Sequence, residues 1–223
     1  MHYILKRIAV AAVATIIAMP GMAATVSFDF LNGGPAGWST SNGRYSATVD
    51  GLTVNVTAGR YNAPYGQPND TIIDSDCSDG GCGTWGYRYV RQTAAGLGID
   101  GFWDGSSIDG NFGNDLITFA FDRVVDFTSV LFTGVDWNDD FDVFVDGALV
   151  REEINIAASN PFSLASLSIS SGRSISFGAD GTFDNFRIGR LNVDTMAAVP
   201  LPAGALLLLT GLFGLGLLRR RAA

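Results

Sequence analysis

The chain has 223 residues, of which 47% are hydrophobic and 16% charged, and its formal net charge at pH 7 is −8. Its one lysine and its one histidine, Lys6 and His2, both lie near the N-terminus. The remaining chain is acidic, which argues against nucleic acids and anionic membrane surfaces as partners, and it lacks the histidine of Ser-His-Asp catalysis and of His-ligated metal sites.

Residues 1–24 have the layout of a secretory signal peptide. A positive charge at Lys6 precedes an apolar run at 8–18, and helix-breaking and small residues follow. The apolar run is shorter than the roughly 20 residues of a membrane span. We therefore expect the chain to be exported and cleaved after Ala23 or Ala24.

Residues 25–191 alternate short β-type segments with turns rich in Gly, Asp and Asn. Asp50-Gly51 and Asp146-Gly147 each separate two such segments, which is a strong signal for a β-hairpin. The predicted strands are 25–30, 45–49, 52–56, 84–91, 116–121, 127–135, 141–145, 148–154, 162–170, 174–177 and 182–191. Many short strands with frequent turns predict an all-β fold, a jelly-roll-like antiparallel β-sandwich, flanked by the signal helix and a C-terminal transmembrane helix.

Removal of both ends would leave a strongly acidic region. Between residues 25 and 198 lie nine arginines and 22 acidic residues, which gives a net charge of −13. We expect this region to form one extracellular domain, 25–191, and a short tether, 192–198. The charge favours solubility and divalent cations as partners.

Cys77 and Cys82 are the two cysteines of the chain. Cysteines of an exported chain usually pair, and two thiolates without histidine fall short of the four ligands of a structural zinc site. We therefore predict a disulfide between them that closes a small loop.

A run of acidic side chains is the best candidate for a metal site. Its carboxylates, the hard oxygen ligands that calcium prefers, are Asp136, Asp139, Asp140 and Asp142. The run is not an EF-hand, because Phe141 and Gly147 stand where that loop has glycine and glutamate. A looser second set comprises Asp100, Asp104 and Asp109. The alternative is a solvated loop, since Asp and Asn favour turns.

Tryptophans beside polar residues are typical of sugar-binding surfaces, where rings stack on sugar faces and polar groups bind hydroxyls. The candidates are Trp85, Trp103 and Trp137, each next to Gly, Asp or Asn. The alternative is that these rings anchor loops to the core, since Trp is highly buried on average. Glu152 and Glu153 leave carboxylate-based glycan hydrolysis open, because that chemistry needs two acids and no histidine.

Residues 199–223 form a three-part tail. The tail begins with a short motif, continues as an apolar run and ends with a basic stop-transfer signal: Val199, Pro200, Leu201, Pro202 and Ala203, then 204–218, then Arg219, Arg220 and Arg221. The 20 residues 199–218, at about 1.5 Å each, just span a hydrocarbon core of about 30 Å. Because positive residues stay cytoplasmic, we expect the folded part to face outward.

This tail resembles the PEP-CTERM family of bacterial sorting signals in its VPLPA form, with Pro200-Leu201-Pro202 replacing the family's Pro-Glu-Pro core. The resemblance implies transient recognition by a membrane-embedded exosortase, which supplies the catalytic cysteine and cleaves near the motif. It also implies a precursor anchored in the inner membrane of a Gram-negative bacterium, and a product at the cell surface or in the extracellular matrix.

A second part of the chain resembles the extracellular domains of PEP-CTERM proteins. Gly96-Leu97-Gly98-Ile99, followed by an acidic residue that opens a strand ending in Phe, matches a pattern in those domains. Here Ile99 replaces the usual Val, and Asp115 replaces the common Glu. Residues 184–188 resemble the final strand of the same domains. The resemblance implies a β-sandwich and no particular reaction.

Together these features predict an exported, non-enzymatic protein with a structural or adhesive role at the cell surface or in a biofilm matrix. Two alternatives remain open: a calcium-supported carbohydrate-binding module and a secreted carboxylate-based glycan hydrolase. Retention on exopolysaccharide would distinguish the first alternative, and glycan turnover the second. Nucleic acid is not expected as a partner.

Overall fold

Antiparallel strands make up most of the described chain. The computed structural model describes residues 23–36, 39–63, 70–79, 82, 87–101, 105–111, 113–156, 160–169, 171–181 and 183–195. The strands in this part are β1 (Ala24–Asp29), β2 (Ser39–Ser41), β3 (Arg44–Val49), β4 (Leu52–Asn62), β5 (Thr71–Asp74), β6 (Arg88–Thr93), β7 (Gly96–Gly101), β8 (Ile108–Asp109), β9 (Asp115–Thr133), β10 (Asp140–Val145), β11 (Ala148–Asn155), β12 (Phe162–Ser163), β13 (Ser171–Ala179) and β14 (Asn185–Thr195). The predicted all-β, antiparallel, sandwich-like fold is confirmed.

The two predicted terminal helices lie outside the described residues. Across the part of the chain that the structure describes, no helix has the length and apolar composition needed to cross a membrane.

The 19-residue strand β9 joins the two layers of the sandwich. Its first half pairs with β4 on one side and β13 on the other, whereas its second half pairs with β14 and β12. The partners change around Asp122, Arg123 and Val124, which are exposed. Sequence alone predicted two strands here, because the polar pair Asp122-Arg123 looks like a turn. The backbone instead stays extended while these side chains face solvent.

Phenylalanines from both layers meet in the core. Phe132 of β9 and Phe186 of β14 belong to one layer, and Phe141 of β10 and Phe177 of β13 belong to the other. The ring centroid of Phe132 lies 4.7 Å from that of Phe141, 5.8 Å from that of Phe177 and 5.2 Å from that of Phe186. The pairs of Phe132 with Phe177 and Phe186 are edge-to-face, and such pairs add about 0.5–1.5 kcal/mol beyond area burial.

The first and last strands pair with each other. Ala24 of β1 lies opposite Thr195 of β14, and the pairing continues to Asp29 and Arg190. The predicted tether, 192–198, is therefore wrong in its first four residues, which belong to β14. The alternation of buried and more exposed side chains continues there: Val193 is fully buried, whereas Asn192 and Asp194 are partly exposed.

Strands β2, β5 and β8 were not predicted from the sequence, and two further segments also differ from the prediction. The predicted strand 162–170 is a two-residue strand followed by a 3-10 turn at Leu164–Leu167. Strand β7 was missed because glycine weakens strands. Its glycines serve close backbone approach: a Cβ at Gly98 would lie 1.8 Å from the carbonyl oxygen of Ser106, and one at Gly96 would lie 2.5 Å from that of Ile188.

Candidate functional site

The predicted disulfide between Cys77 and Cys82 is confirmed, with a Cα–Cα distance of 5.3 Å. It lies next to a 3-10 turn, Cys77–Asp79, whose start is fixed by Asp76. The Asp76 carboxylate accepts hydrogen bonds from the backbone N–H and the hydroxyl of Ser78, at 3.2 and 2.6 Å. The disulfide and this carboxylate together hold the turn beside β4 and β6.

Carboxylates from three loops and one strand meet at one end of the sandwich. This acidic cluster consists of Asp70, Asp140, Asp142, Asp180 and Asp184. Among the described residues, the cluster contains two groups that share Asp180, and within each group three carboxylate oxygens lie within 4.8 Å of one another. Asp140 and Asp142 lie two residues apart on β10 and therefore share one face of the sheet. The other members come from the segments before β5, after β13 and before β14.

The four predicted metal ligands separate into two pairs. Asp140 and Asp142 join the acidic cluster, whereas Asp136 is exposed and outside it. Asp139 is buried, and its carboxylate accepts the backbone N–H groups of Asp136 and, at 3.0 Å, of Asn185. Asp139 therefore ties the loop before β10 to the start of β14 and is occupied by backbone donors.

Asp142 is the most firmly held member of the cluster. Its two carboxylate oxygens accept the hydroxyl of Tyr61 at 2.6 Å and the backbone N–H of Glu153 at 2.9 Å. The Tyr61 ring lies against Gly178, where a Cβ would come within 2.5 Å of a ring carbon. Only glycine at this point of β13 lets the tyrosine reach the carboxylate.

A β-bulge brings Glu153 to the edge of the cluster. The register between β10 and β11 shifts opposite Asp142, and Glu153 has a φ of 54°, an uncommon conformation for a residue other than glycine. Bulges of this kind often aim a side chain at a functional site. Here the bulge frees the N–H of Glu153 from the strand ladder and turns it to Asp142.

Burial and mutual repulsion raise the pKa values of several carboxyl groups at this site. Burial, then the charge of Asp142, raises the pKa of Asp70 to about 7, and the same two causes raise the pKa of Asp180 to about 6. Burial, then the charge of Asp184, raises the pKa of Asp140 to about 7. Burial also raises the pKa of Glu153 and of Asp184 above their usual range. The cluster is thus poised to take up protons or a cation.

Folding stability is expected to fall as the pH rises from 3.8 towards 7. Unfolded aspartates release their protons near 3.8, but in the folded state Asp70, Asp140 and Asp180 retain them to about 6 or 7, so between these values the folded state binds more protons. The stabilisation is complete below the unfolded pKa and is lost as the pH passes the folded pKa values. Urea unfolding across this interval measures the effect.

The D180N variant isolates the cluster in that experiment. Its stability should depend less on pH than that of the wild type, and the matched D136N variant should behave like the wild type because Asp136 lies outside the cluster. Equal pH profiles for the wild type and D180N would contradict the assignment.

The other residues that the sequence predicted for a site have separate surroundings in the structure. Asp100 pairs with Arg91 at 3.3 Å, and the Asp109 carboxylate accepts the N–H of Asn111 at 2.8 Å, so both serve local structure. Asp104, Trp85 and Trp103 lie outside the described residues. Trp137 is 85% exposed, which is inconsistent with a role as a core anchor.

Exposed aromatic rings flank the acidic cluster. Trp137 lies in the loop before β10, and Phe183, 77% exposed, lies in the loop before β14. The two loops are joined, because the backbone N–H of Asp140 donates to the carboxylate of Asp184 at 3.3 Å. Sequence reasoning missed Phe183, although its setting between Asp180-Gly181 and Asp184 resembles that of Trp137.

No protein-family model, curated protein or solved structure matches this chain. The chemistry available at the cluster therefore follows from its own residues. Hard carboxylate oxygens suit calcium, and exposed rings beside them offer apolar surface to a ligand. Glu152 and Glu153, the acid pair considered for a hydrolase, are both exposed on β11.

Proposed function

We propose that this chain is an exported, non-enzymatic protein with a jelly-roll-type β-sandwich, delivered to the cell surface or extracellular matrix by an exosortase-type system. The observation that carries the proposal is the tail: the motif at 199–203, the apolar run at 204–218 and the basic residues at 219–221. In this proposal the apolar run anchors the precursor in the inner membrane. The protein then has a structural or adhesive role outside the cell.

The limits of the sheet fit processing at both ends. Strand β1 begins at Ala24 and β14 ends at Thr195. Cleavage after Ala23 would leave every residue pair of β1 and β14 intact, whereas cleavage after Ala24 would remove the pair Ala24–Thr195. We therefore favour Ala23 as the last residue of the signal peptide. A cut near Val199 would likewise lie beyond the last strand.

Replacing Pro200, Leu201 and Pro202 with alanine is expected to block processing. The precursor should then accumulate at its full mass in the inner-membrane fraction, because the exosortase no longer recognises the tail. Immunoblots of fractionated cells measure both the mass and the location. A matched control changes Ala197 and Ala198 to serine, which leaves the motif untouched and should be processed normally. Normal processing of the triple variant would refute the sorting assignment.

A calcium-supported carbohydrate-binding module is the second candidate. It is favoured by the position of the exposed Trp137 and Phe183 on two joined loops next to the acidic cluster. In this function calcium neutralises the cluster and fixes the loops, and the rings stack on sugar faces. Retention of the protein on exopolysaccharide should then require both calcium and Trp137. Turnover of the glycan in the same assay would instead favour the hydrolase alternative.

A further inference from the structure

A polar cleft with an aromatic wall shares no residue with the acidic cluster. It has a volume of about 220 Å³ and is lined by Asn42, Arg44, Ser78 and Tyr89. Four elements form it: the turn between β2 and β3, the start of β3, the disulfide-linked 3-10 turn and strand β6. The turn between β2 and β3 is attached to β6, because the N–H of Val90 donates to the carbonyl of Gly43 at 2.9 Å.

Tyr89 forms the aromatic wall of the cleft, and a second tyrosine, Tyr87, lies beside it. Tyr87 and Tyr89 lie two residues apart along the chain, and their rings are nearly parallel, 17° between planes, with centroids 6.1 Å apart. The rings are well exposed, since Tyr87 is 45% and Tyr89 38% accessible. Tyr89 lies directly over Gly43, where a Cβ would sit 2.0 Å from a ring carbon. Glycine at this position therefore leaves the space that the ring occupies.

The polar wall is held in place before any ligand arrives. Asp76 forms an ion pair with Arg44 and accepts two hydrogen bonds from Ser78, so one carboxylate positions two of the residues that line the cleft. Asp76 is itself oriented by Asp74, whose carboxylate accepts its N–H at 2.9 Å. Preorganised groups of this kind lower the entropic cost of binding.

We propose that this cleft binds one ring of a neutral glycan, with the neighbouring ring resting on Tyr87. Exposed tyrosine rings provide flat apolar surface, and the amide of Asn42, the hydroxyl of Ser78 and the remaining N–H groups of Arg44 bind sugar hydroxyls. The cleft is smaller than the roughly 300–1,000 Å³ of pockets for drug-sized ligands, which suits a single sugar ring.

Charge selects a neutral glycan over an acidic one. The charge of Arg44 is already balanced by Asp76, and the region between residues 25 and 198 has a net charge of −13. A polyanion would be repelled at long range by such a surface. The inference rests on the proposed function in one respect: it takes the glycan from the polysaccharide at the cell surface. The geometry of the cleft does not depend on that proposal.

Affinity electrophoresis of the purified full-length chain tests the proposal, in a detergent without a sugar headgroup. Gels are cast with neutral glucan, galactan, mannan or xylan, or with acidic polygalacturonate. We expect at least one neutral polymer to retard the wild type, and Y89A and Y87A to weaken this retardation at least tenfold. Y89F should bind like the wild type, because the ring is retained. W137A, at the acidic cluster, should also bind normally, and thermal melting of each variant checks folding.

Three outcomes would overturn the proposal. They are no retardation by any neutral polymer, unchanged retardation of a folded Y89A variant, and loss of binding in W137A but not in Y89A. The third outcome would assign glycan binding to the acidic cluster. Sorting is measured separately by cell fractionation, so failure of the cleft and failure of the proposed surface location remain distinguishable.

Discussion

Replacing Arg88 with alanine is expected to lower the free energy of unfolding by about 3–5 kcal/mol, the usual cost of breaking a buried ion pair. Arg88 and Asp115 are both fully buried, and the Arg88 Nε donates to Asp115 Oδ1 at 2.5 Å. Arg88 also donates to the carbonyls of Tyr87 and Gly113, at 3.3 and 3.4 Å. The substitution leaves a buried carboxylate that has lost its main cationic partner.

Chemical denaturation and thermal melting both measure this loss. At about 2–4 °C per kcal/mol for a domain of this size, the melting temperature should fall by about 6–20 °C. The matched control is R91A, which breaks the pair of Arg91 with Asp100, whose side chains are 59% and 37% exposed. An exposed pair contributes about 0–1 kcal/mol. Equal losses in R88A and R91A would contradict the role of Arg88.

A double variant separates the lost pair from lost packing. Replacing Arg88 with methionine and Asp115 with leucine removes both charges and keeps apolar volume. Replacement of a buried pair by hydrophobic residues is often neutral or stabilising, so the double variant should recover most of the stability that R88A loses. If the double variant is as unstable as R88A, loss of the ion pair is not the cause of the lower stability of R88A.

Addition of calcium is the second experiment in which we expect a large effect, a rise in the melting temperature. At about 100 times its Kd, a cation that binds only the folded state stabilises it by about 2.7 kcal/mol, which corresponds to a rise of about 5–10 °C in melting temperature. The three-carboxylate groups that share Asp180 would supply the ligands. Melting with calcium and with a chelator, at about pH 8, measures the shift.

Two variants make this test specific. D180N should melt higher than the wild type in chelator, since it removes one charge from a repulsive cluster, and it should lose the calcium shift. D136N, from the neighbouring loop, should retain the shift. At about pH 5 the shift should shrink, because protons compete for the same carboxylates. No calcium shift in the wild type at either pH would refute the cation site.

Local sequence signals predicted much of the sheet. Asp50-Gly51 and Asp146-Gly147 form hairpin turns in which all four residues have positive φ, the conformation that this dipeptide favours. The fusion of two predicted strands into β9 was not predictable, because exposed polar residues within an extended segment resemble a turn. Which strands form each layer also depends on pairings between strands that are distant in sequence, and such pairings have no local sequence signature.

The acidic cluster was likewise predictable only in part from the sequence. Asp140 and Asp142 were predicted from their spacing in one run of sequence, and the strand places both on one face. Asp70 and Asp180 come from distant loops, so only the fold brings them together. Asp139 was wrongly grouped with them, since a run of acids does not reveal which carboxylate is already bound by backbone N–H groups.

The pairing of β1 with β14 constrains when the protein folds. Strand β14 borders β1, β7, β8 and β9, yet it is the last strand of the described chain to leave the ribosome. In the export proposed above, early segments would cross the membrane with partners still missing, although domains begin folding from the N-terminal side. In an exported chain the sheet closes only after Thr195 has emerged, a few residues before the apolar tail enters the membrane. Completion of the fold and arrest of translocation would thus nearly coincide.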